Sequence, residues 1–487
     1  MRHRIVRHRL GRWVDPASAF AALHRDSPQA FWLDSGIEAS EGVSYIGASA
    51  TWVTASVADG AVTEHPSAIS VPGTIFDFLR GRIRVAPGSD GLPLGWVGWF
   101  GYELRAQTMA APGGTAGAVR QSRHSDAALL DVDRIIAFDH ARGTVELIAM
   151  GARWTPEIAG WRDETERRLA AIGPDGDIRT AVSTRVGEAR VGEARVGEAR
   201  AGEPTLGEPP VARWRNGDDA YAKQIEACQA AIRDGEAYQL CLTSEASVAT
   251  HPHPLDAYLA VRSTSPTHHG GFVRVDDVTL ISASPEQFLT VRDGVVESRP
   301  IKGTRPRGET PADDRRLVNE LESSGKERAE NLMIVDLMRN DIGRVAEVGS
   351  VTVPALLAVE TYAHVHQLVS TVRGRLASGK HPVDAIVACF PAGTMTGAPK
   401  SRAVEVLDHL EQRARGIYSG AFGYVGIDGT VDLAMVIRSI VLDADGATIG
   451  AGGGITALSD PVEEIAEVRL KAAALLRALG AVPPTSV

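Results

Sequence analysis

The sequence predicts an α+β protein, and two observations lead to that expectation. Residues 1–175 are dominated by segments of strand composition that are separated by turn residues. Residues 213–480 alternate strand-like and helical segments, and two of the helical segments carry clear start and stop signals. We therefore expect both extended sheet and long helices around a large core.

The strands come first in the chain. Three early segments combine strand composition with turn punctuation: TWVTASVADGAVTEH, GWVGWFGYEL and RIIAFDHARGTVELIAM. In the second half, DDAYAKQIEACQAAIRDGE predicts a helix and YQLCLTSEASV predicts a strand. The segment TLISASPEQFLTVRDGVVESRPIKGT predicts a strand hairpin that turns at Asp293-Gly294. One apolar face of the helix is formed by Tyr221, Ile225, Cys228 and Ile232.

The two strongest helical segments lie later. SGKERAENLMIVDLMRNDIGRV predicts a helix that ends near Gly343. DPVEEIAEVRLKAAALLRALG predicts a helix with Asp460 as N-cap, Pro461 at the first position and Gly480 as the stop.

A low-complexity segment separates the two halves of the sequence. Residues 186–200 read VGEARVGEARVGEAR, and AGEPTLGEPP follows. This composition lacks large apolar residues, so it cannot bury enough surface to offset chain entropy. We expect 176–212 to be a linker or surface loop between an N-terminal region (1–175) and a C-terminal domain (213–480).

Composition excludes several classes of function. The 487 residues are 44% hydrophobic and 23% charged, which is ordinary for a globular protein. The net charge of −10 argues against sequence-independent binding of nucleic acid or anionic lipid, since both require a basic surface. We expect neither a membrane span nor a signal peptide. Three scattered cysteines match neither a disulfide framework nor a zinc site, so we expect thiols in a cytoplasmic protein.

Each strong helix carries two glutamates spaced i, i+3, which lie on one helical face. These pairs are Glu327 with Glu330 and Glu464 with Glu467. If the two faces oppose each other across a cleft, they supply oxygen ligands for Mg²⁺ and leave positions for water and a substrate carboxylate. Alternatively, they are solvated acidic faces with ordinary salt bridges, such as Glu467 with Lys471.

Two glycine-rich turns point towards an anionic ligand. PAGTMTGAPKSR (391–402) and GAGGGIT (450–456) have small residues where a backbone can approach a ligand, and free N–H groups there could bind carboxylates or phosphates. Neither segment fits the P-loop pattern, and each alone could be a mere loop. Together with the acidic helices, they indicate an anionic ligand bridged to the protein by a cation.

Nine segments of the second half stand out, in the order YQLCLT, SPE, PIKGT, GKERAENLMIVDLMRND, PAGTMTGAPK, RGIYSGAFGYVG, DLAMVIRS, GAGGGI and DPVEEIAEVRLK. Together they resemble the chorismate-utilising enzymes, a family that includes anthranilate, aminodeoxychorismate, isochorismate and salicylate synthases. The resemblance covers essentially all of 217–475. A weaker resemblance extends to the N-terminal region, through FWLDSG, SYIG, GWVGWFGYE and DRIIAFDH. The resemblance implies a chorismate-binding catalytic domain and one large α/β/β/α sandwich, in which two antiparallel sheets stack with helices outside.

The resemblance also implies roles for individual residues. Glu330 and Glu467 would bind Mg²⁺, with Glu327 and Glu464 close by, and the metal would hold the ring carboxylate of chorismate. Glu286 would be the general acid that protonates the departing C4 hydroxyl. The groups that would hold the enolpyruvyl carboxylate, or fall in the same pocket, are Arg438, Tyr418, Lys471, Thr394 and the N–H groups around Gly452. Two structural alternatives remain open: Glu286 as a surface carboxylate at a strand end, and Arg438 as part of an ion pair at the core edge.

Two positions bear on the reaction within this family. Family members that add water carry a lysine base where this chain has Gln239, and an amide cannot deprotonate water. Lys302, followed by Gly303 and Thr304, stands where anthranilate synthases usually have alanine. Lysine there is typical of aminodeoxychorismate synthases, in which it is the proposed nucleophile. The alternative for Lys302 is a turn lysine that pairs with Glu297.

A third position concerns pyruvate elimination, which anthranilate synthases perform with a catalytic histidine. Gln367 stands at that position, and His366 should point to the other face of the strand. The resemblance thus implies formation of 4-amino-4-deoxychorismate, the precursor of 4-aminobenzoate and folate, with anthranilate synthesis as the alternative. No stretch resembles a Cys-His-Glu amidotransferase, so we expect ammonia from a separate glutamine amidotransferase subunit in a heterodimer.

Overall fold

The computed structural model describes residues 4–85, 91–109, 120–173 and 209–482. Within these residues the strands form two sheets of twelve strands each, and the pairing between named strands is antiparallel throughout. The VGEAR repeat lies outside the described residues. The last part of the predicted linker is described, and there the Ala212 N–H donates to the Val482 carbonyl at 3.0 Å.

The first sheet combines strands from both ends of the sequence. Near one edge of this sheet, the strand that carries GAGGGI pairs antiparallel with the strand that carries YQLCLT, and Thr243 lies opposite Gly452. In spatial order its strands are β1 (Ile5–Arg9), β10 (Thr144–Met150), β9 (Arg134–Asp139), β3 (Val43–Ala48), β2 (Gln29–Asp34), β13 (His269–Val275), β14 (Val278–Ser284), β23 (Ser439–Asp443), β24 (Gly446–Ile455), β12 (Gln239–Val248) and β11 (Arg213–Trp214), with β20 (Gly397–Ala398) also on β12.

The second sheet is built in the same way. In spatial order its strands are β17 (Ile301–Pro306), β19 (Val365–Arg375), β16 (Val295–Ser298), β15 (Gln287–Arg292), β22 (Val431–Met435), β21 (Ala421–Gly426), β7 (Gly95–Phe100), β8 (Ala127–Val132), β4 (Trp52–Ser56), β5 (Ala61–His65) and β6 (Ile69–Pro72), with β18 (Thr352–Thr361) also on β19. Because each sheet contains strands from before and after the predicted linker, the N-terminal region and the C-terminal domain share one architecture.

The helices cover the outer faces of the two sheets. On the first sheet pack α1 (Pro16–His24), α4 (Pro156–Ala170), α5 (Asp218–Arg233), α6 (Pro254–Thr264), α10 (Lys400–Glu411) and α11 (Pro461–Ala478). On the second sheet pack α2 (Ile75–Arg82), α8 (Gly325–Gly343) and α9 (Pro382–Cys389), while α3 (Arg105–Thr108) and α7 (Pro311–Ser323) are shorter or more exposed additions.

Three apolar clusters hold these layers together. One lies between the first sheet and its helices, and a second lies between the second sheet and its helices. The third lies between the sheets and includes Phe31, Trp99 and Phe422, all of them almost fully buried. The predicted α/β/β/α sandwich is therefore confirmed.

Local signals in the sequence match the observed elements. Asp460 accepts hydrogen bonds from the first turn of α11, Pro461 is its first residue, and Gly480 follows its end with a φ of 66°. The hairpin turns where expected, since Asp293 and Gly294 both have positive φ. In the described ranges, no helix combines the length and apolar character that a membrane crossing requires. The cysteines are free and buried.

Candidate active site

A cavity of about 460 Å³ lies where the two layers meet. One side, the second-sheet wall, carries Lys302 and Thr304 of β17, Gln367 of β19, and Glu327 and Glu330 of α8. The other side, the first-sheet wall, carries Arg438, the Gly450–Gly454 stretch of β24, and Glu464, Glu467 and Lys471 of α11. Thirteen of the fourteen residues expected at the site line this cavity: Glu286, Lys302, Gly303, Thr304, Glu327, Glu330, Thr394, Tyr418, Arg438, Gly452, Glu464, Glu467 and Lys471.

A bulge in β17 presents Lys302 to the cavity. The pairing of β17 with β19 shifts register between Ile301 and Thr304, so Lys302 and Gly303 leave the regular ladder. Gly303 has a φ of 88°, a left-handed conformation that glycine adopts without strain. A bulge re-aims side chains locally. As a result, the Lys302 amine lies 3.5 Å from Glu330, and each side chain is less than one fifth exposed.

Glu286 lies at the crossing from one sheet to the other. It follows β14 of the first sheet and precedes β15 of the second, and its carbonyl accepts a hydrogen bond from the Met435 N–H at 3.0 Å. The residue is buried, and this burial raises the pKa of its carboxyl to about 7 despite the opposing effects of Lys302 and the neighbouring Thr394 hydroxyl. At neutral pH, Glu286 can therefore keep a proton and donate it.

The glutamates of α8 are paired with cations from β17. Ser324 caps the helix, so Glu327 lies in its first turn. Arg305 donates to Glu327 at 2.8 Å, in parallel with the contact between Lys302 and Glu330. The acidic face of α8 is thus turned inward towards the second sheet rather than towards bulk water.

The glutamates of α11 differ from one another in their surroundings. Glu464 is buried, and that burial raises the pKa of its carboxyl even though Ser459 donates to it at 2.7 Å. Burial acts in the same direction on Glu467, but its ion pair with Lys471 at 2.7 Å and more distant lysines outweigh burial and lower its pKa. Lys326 of α8 reaches across to Glu464 at 3.9 Å, so the two acidic faces do oppose each other.

Two cavity residues occupy strained or close-packed positions. Arg438 has a φ of 51°, which is uncommon for a residue with a side chain. Within the described residues it forms no ion pair, so its charge remains available in the cavity. The buried Tyr418 ring packs on Gly450, where a β-carbon would stand 2.1 Å from the ring.

Comparison with known proteins identifies the family. A family model described as "chorismate binding enzyme" matches residues 29–477. The chain belongs to this family. It is 40% identical to the aminodeoxychorismate synthases of Streptomyces pristinaespiralis and Streptomyces griseus, in each case over 96% of this chain. The chain spans less than two thirds of these relatives, 64% and 63% of their lengths.

Anthranilate synthases are also similar. Anthranilate synthase component 1 of Mycolicibacterium smegmatis is 34% identical, with 98% of this chain and 90% of that protein covered. The solved structure of anthranilate synthase component I from Streptococcus pneumoniae TIGR4 matches with a TM-score of 0.69 at 26% identity, covering 95% of this chain and 97% of the other. MenF, the menaquinone-specific isochorismate synthase of Escherichia coli, shares the fold with a TM-score of 0.65 at 17% identity over 98% of this chain and 94% of the other.

Gln239 is the expected site residue that does not line the cavity. It is buried in β12, and its side chain covers Gly454, where a β-carbon would stand 1.8 Å from its amide nitrogen. Gly454 belongs to β24, which pairs with β12, and it lies between the Gln239 side chain and the cavity. Several lining residues were not expected from the sequence, although all of these except Arg305 lie within a family motif: Cys241, Ile301, Arg305, Lys326, Met395, Ile437 and Leu470.

Gln367 and His366 lie on opposite faces of β19, as strand alternation predicts. Gln367 lines the cavity. His366 is buried elsewhere, where its ring nitrogens lie 2.8 Å from the Thr361 hydroxyl and 2.9 Å from Asp314. The imidazole next to the family's histidine position therefore cannot reach the cavity in this arrangement.

The carboxylates of the cavity fit a hard cation by their chemistry. Glu327, Glu330, Glu464 and Glu467 offer oxygen donors from two facing helices, which is the donor type that Mg²⁺ prefers. Among the described residues, no three acidic, histidine or cysteine side chains converge closely enough to hold a metal as they stand. Because lysine and arginine partners occupy these carboxylates, a metal ion would have to compete with them.

Proposed function

We propose that this chain replaces the C4 hydroxyl of chorismate with an amino group from ammonia, giving 4-amino-4-deoxychorismate. The observation that carries the proposal is Lys302, an amine held in the same cavity as the buried acid Glu286. The 40% identity to aminodeoxychorismate synthases over 96% of the chain supports this choice. The product would be a precursor of 4-aminobenzoate and folate.

Binding of the enolpyruvyl carboxylate of chorismate would use the cationic groups of the first-sheet wall. Chorismate is a dianion, and Arg438 has no ion pair within the described residues, so its planar guanidinium can donate two hydrogen bonds to a carboxylate. Tyr418, Lys471, Thr394 and the N–H groups around Gly452 surround the same space. These groups would hold the enolpyruvyl carboxylate and leave the ring directed towards Lys302 and Glu286.

The reaction would then proceed in two displacements. Lys302 must first lose the proton of its ion-paired form; the free amine then attacks ring carbon C2, the ring double bonds shift, and the C4–O bond breaks as Glu286 donates its proton to form water. Ammonia next attacks C4, the double bond shifts back, and the C2–N bond to Lys302 breaks. The new C4 ammonium returns one proton to Glu286, which restores the acid for another turnover.

We also propose that Glu330 and Glu467 hold Mg²⁺, with Glu327 and Glu464 close by. When bound, the ion would neutralise the ring carboxylate of chorismate. Support for this assignment comes from the donor type and from the position of the four carboxylates around one cavity.

The ammonia would come from a separate glutamine amidotransferase subunit in a cytoplasmic heterodimer. Purified chain given ammonium salts should aminate chorismate, whereas glutamine alone should give little product until such a subunit is added. Equal use of glutamine and ammonium by the isolated chain would refute this partnership.

Anthranilate synthesis is the second candidate, favoured by the coverage of 90% of a component 1 protein at 34% identity. Mass spectrometry of the products formed from chorismate, ammonium and Mg²⁺ separates the two. We expect 4-amino-4-deoxychorismate, and an adduct on the Lys302 peptide when ammonia is omitted. Release of anthranilate and pyruvate by the wild-type chain would instead establish the second candidate.

A further inference from the structure

Arg415 is a buried arginine to which the proposed chemistry gives no role. Its side chain is 1% exposed, and that of its partner Glu411 is 3% exposed. Nε and Nη2 of Arg415 donate to the two carboxylate oxygens of Glu411 at 2.9 and 2.8 Å. A fully buried ion pair costs desolvation of both charges, so stability alone is a weak reason for having one.

The remaining N–H groups of Arg415 are directed at the wall of the active cavity. Nη1 donates to the Met395 carbonyl at 2.6 Å and to the Ser419 hydroxyl at 3.5 Å, and Nη2 donates to the Cys241 carbonyl at 2.9 Å. Cys241 and Met395 line the cavity, and Ser419 follows Tyr418, which also lines it. One planar group with five donors therefore links its own segment, which also carries Ser419, to Met395 and to Cys241, which lies 174 residues earlier in the chain.

Glu411 extends this network to the glycine-rich strand. Its Oε1 atom accepts hydrogen bonds from the N–H and the hydroxyl of Thr243, both at 2.9 Å. Thr243 is the cross-strand partner of Gly452. The same carboxylate that orients Arg415 therefore also fixes the strand opposite the N–H groups expected to meet the substrate.

The backbone around Arg415 is held from the other side. Glu103 accepts hydrogen bonds from the N–H groups of Arg415 and Gly416 at 2.8 and 2.9 Å, and the Tyr102 ring centre lies 4.4 Å from the guanidinium. With both its backbone and its side chain fixed, Arg415 has little freedom to follow movements of the segments that it joins. It can therefore define their relative positions.

We propose that Arg415 is a positioning residue, which holds Tyr418, Thr394 and the Gly450–Gly454 strand at the spacing that binds the enolpyruvyl carboxylate of chorismate. This inference takes from the proposed function that chorismate is the substrate. It does not depend on which ring carbon is aminated. Arg415 acts through the carbonyls of Met395 and Cys241 and touches no reacting atom. A lysine there keeps the charge but loses the fork that serves several acceptors at once.

The test compares Arg415→Lys with Arg262→Lys. Arg262 is the matched control because it also forms a buried bidentate pair, with Asp34, yet does not line the active cavity. Both variants should lose a similar amount of thermal stability. For Arg415→Lys we expect the KM for chorismate to rise about tenfold or more with little change in kcat, the signature of lost binding groups. Arg262→Lys should leave both constants near wild type.

A double variant covers the case in which Arg415→Lys fails to fold. Glu411→Leu combined with Arg415→Met leaves no unpaired buried charge and is the kind of replacement that folds are known to accept. It should show the same rise in KM, and the same weakening of chorismate binding in calorimetry. Unchanged KM and chorismate affinity in the folded Arg415 variants would overturn the positioning role.

Calorimetry also separates this inference from the proposed function. If wild-type protein binds chorismate with Mg²⁺ but makes no 4-amino product, the amination proposal fails. Weakened chorismate binding in the Arg415 variants, with normal binding in Arg262→Lys, would still support the positioning role. Equal weakening in both arginine variants would show a general effect of a lost buried pair and would refute it.

Discussion

The two walls of the cavity use the same residue types in different ways. On the second-sheet wall, Lys302 and Arg305 of β17 each face a glutamate of α8, so cations and anions come from different elements. On the first-sheet wall, Lys471 pairs with Glu467 of its own helix, one turn earlier. Arg438, on that same wall, has no ion-pair partner among the described residues.

This difference matches the proposed roles of the two walls, with the chemistry on one and substrate binding on the other. The second-sheet wall holds Lys302, the proposed nucleophile, by tertiary contacts in the same cavity as the buried Glu286, so a lost contact there would change a group that the proposed route uses. The first-sheet wall leaves the guanidinium of Arg438 without an ion-pair partner among the described residues, as recognition of a carboxylate requires. We therefore expect substitutions on the second-sheet wall to change kcat and product, and those on the first-sheet wall to change KM.

The largest effect should come from Lys302→Ala. Loss of the nucleophile should lower 4-amino-4-deoxychorismate formation by at least about 10⁴-fold, since removal of a nucleophile can cost about 10⁶-fold in kcat. Some slow direct amination can remain, because Glu286 still assists departure of the C4 hydroxyl. Lys302→Arg is the charge-matched control and should be equally inactive, since a guanidinium stays protonated. Wild-type rates in either variant, measured by mass spectrometry of the product, would contradict the nucleophile assignment.

Glu286→Gln should have the second largest effect. We expect kcat to fall by about 10²–10⁴-fold, as for the loss of a general acid. The pH dependence has a defined sign. The protonated form is the active donor, and the pKa of Glu286 is raised to about 7, so the wild-type rate should fall as pH rises through that value. The Gln variant should lose this limb of the pH profile of kcat. If kcat of the Gln variant still fell as pH rises through about 7, a group other than Glu286 would be responsible for that fall.

Removal of one carboxylate from each wall tests whether a metal joins them. Glu330→Gln and Glu467→Gln should each lower the affinity for Mg²⁺ by at least about tenfold, since even the hydrogen-bond partners of metal ligands contribute 10- to 100-fold to metal affinity. Activity titrated with Mg²⁺ and Mg²⁺ calorimetry would measure this. Glu297→Gln, a carboxylate that pairs with Arg373 outside the cavity, is the control. Full turnover of the wild-type enzyme after exhaustive chelation would exclude the metal.

Arg438→Gln should act on binding alone. A hydrogen-bonded charge contributes about 1.5–3 kcal/mol, so the KM for chorismate should rise by roughly ten- to hundredfold while kcat stays close to wild type. Arg373→Gln removes an arginine outside the cavity and should leave KM unchanged. If Arg438→Gln lowered kcat and left KM unchanged, the division between the two walls would be wrong.

The sequence predicted those parts of the fold that depend on neighbouring residues. The cap and stop of α11 and the turn at Asp293-Gly294 are local, because the backbone groups that they satisfy lie within a few positions. The sandwich and the thirteen lining residues followed from the family resemblance, since the motifs are read in order. Their roles in binding and catalysis remain predictions.

Contacts between distant segments could not be read from the sequence. The side chain of Gln239 lies behind Gly454 because two strands pair there, and nothing in YQLCLT indicates that pairing. Lys326 reaches Glu464 only because α8 and α11 face each other. Arg415 likewise joins segments that begin more than a hundred residues apart. Such contacts depend on the assembled sheets, so sequence periodicity carries no signal for them.

The smallest effect should come from Gln367→His, which adds a titratable group to the second-sheet wall. An amide cannot exchange protons near neutral pH, whereas histidine can, and elimination of pyruvate requires proton transfer. We expect amination of chorismate to fall by less than about tenfold, because Gln367 is neither acid nor nucleophile in the proposed route. Slow pyruvate release should become detectable in a lactate dehydrogenase-coupled assay. His366→Gln, which changes the buried neighbour on the other face of β19, should release none. Absence of pyruvate from a folded, aminating Gln367→His enzyme would show that a second group, beyond the missing imidazole, also prevents elimination.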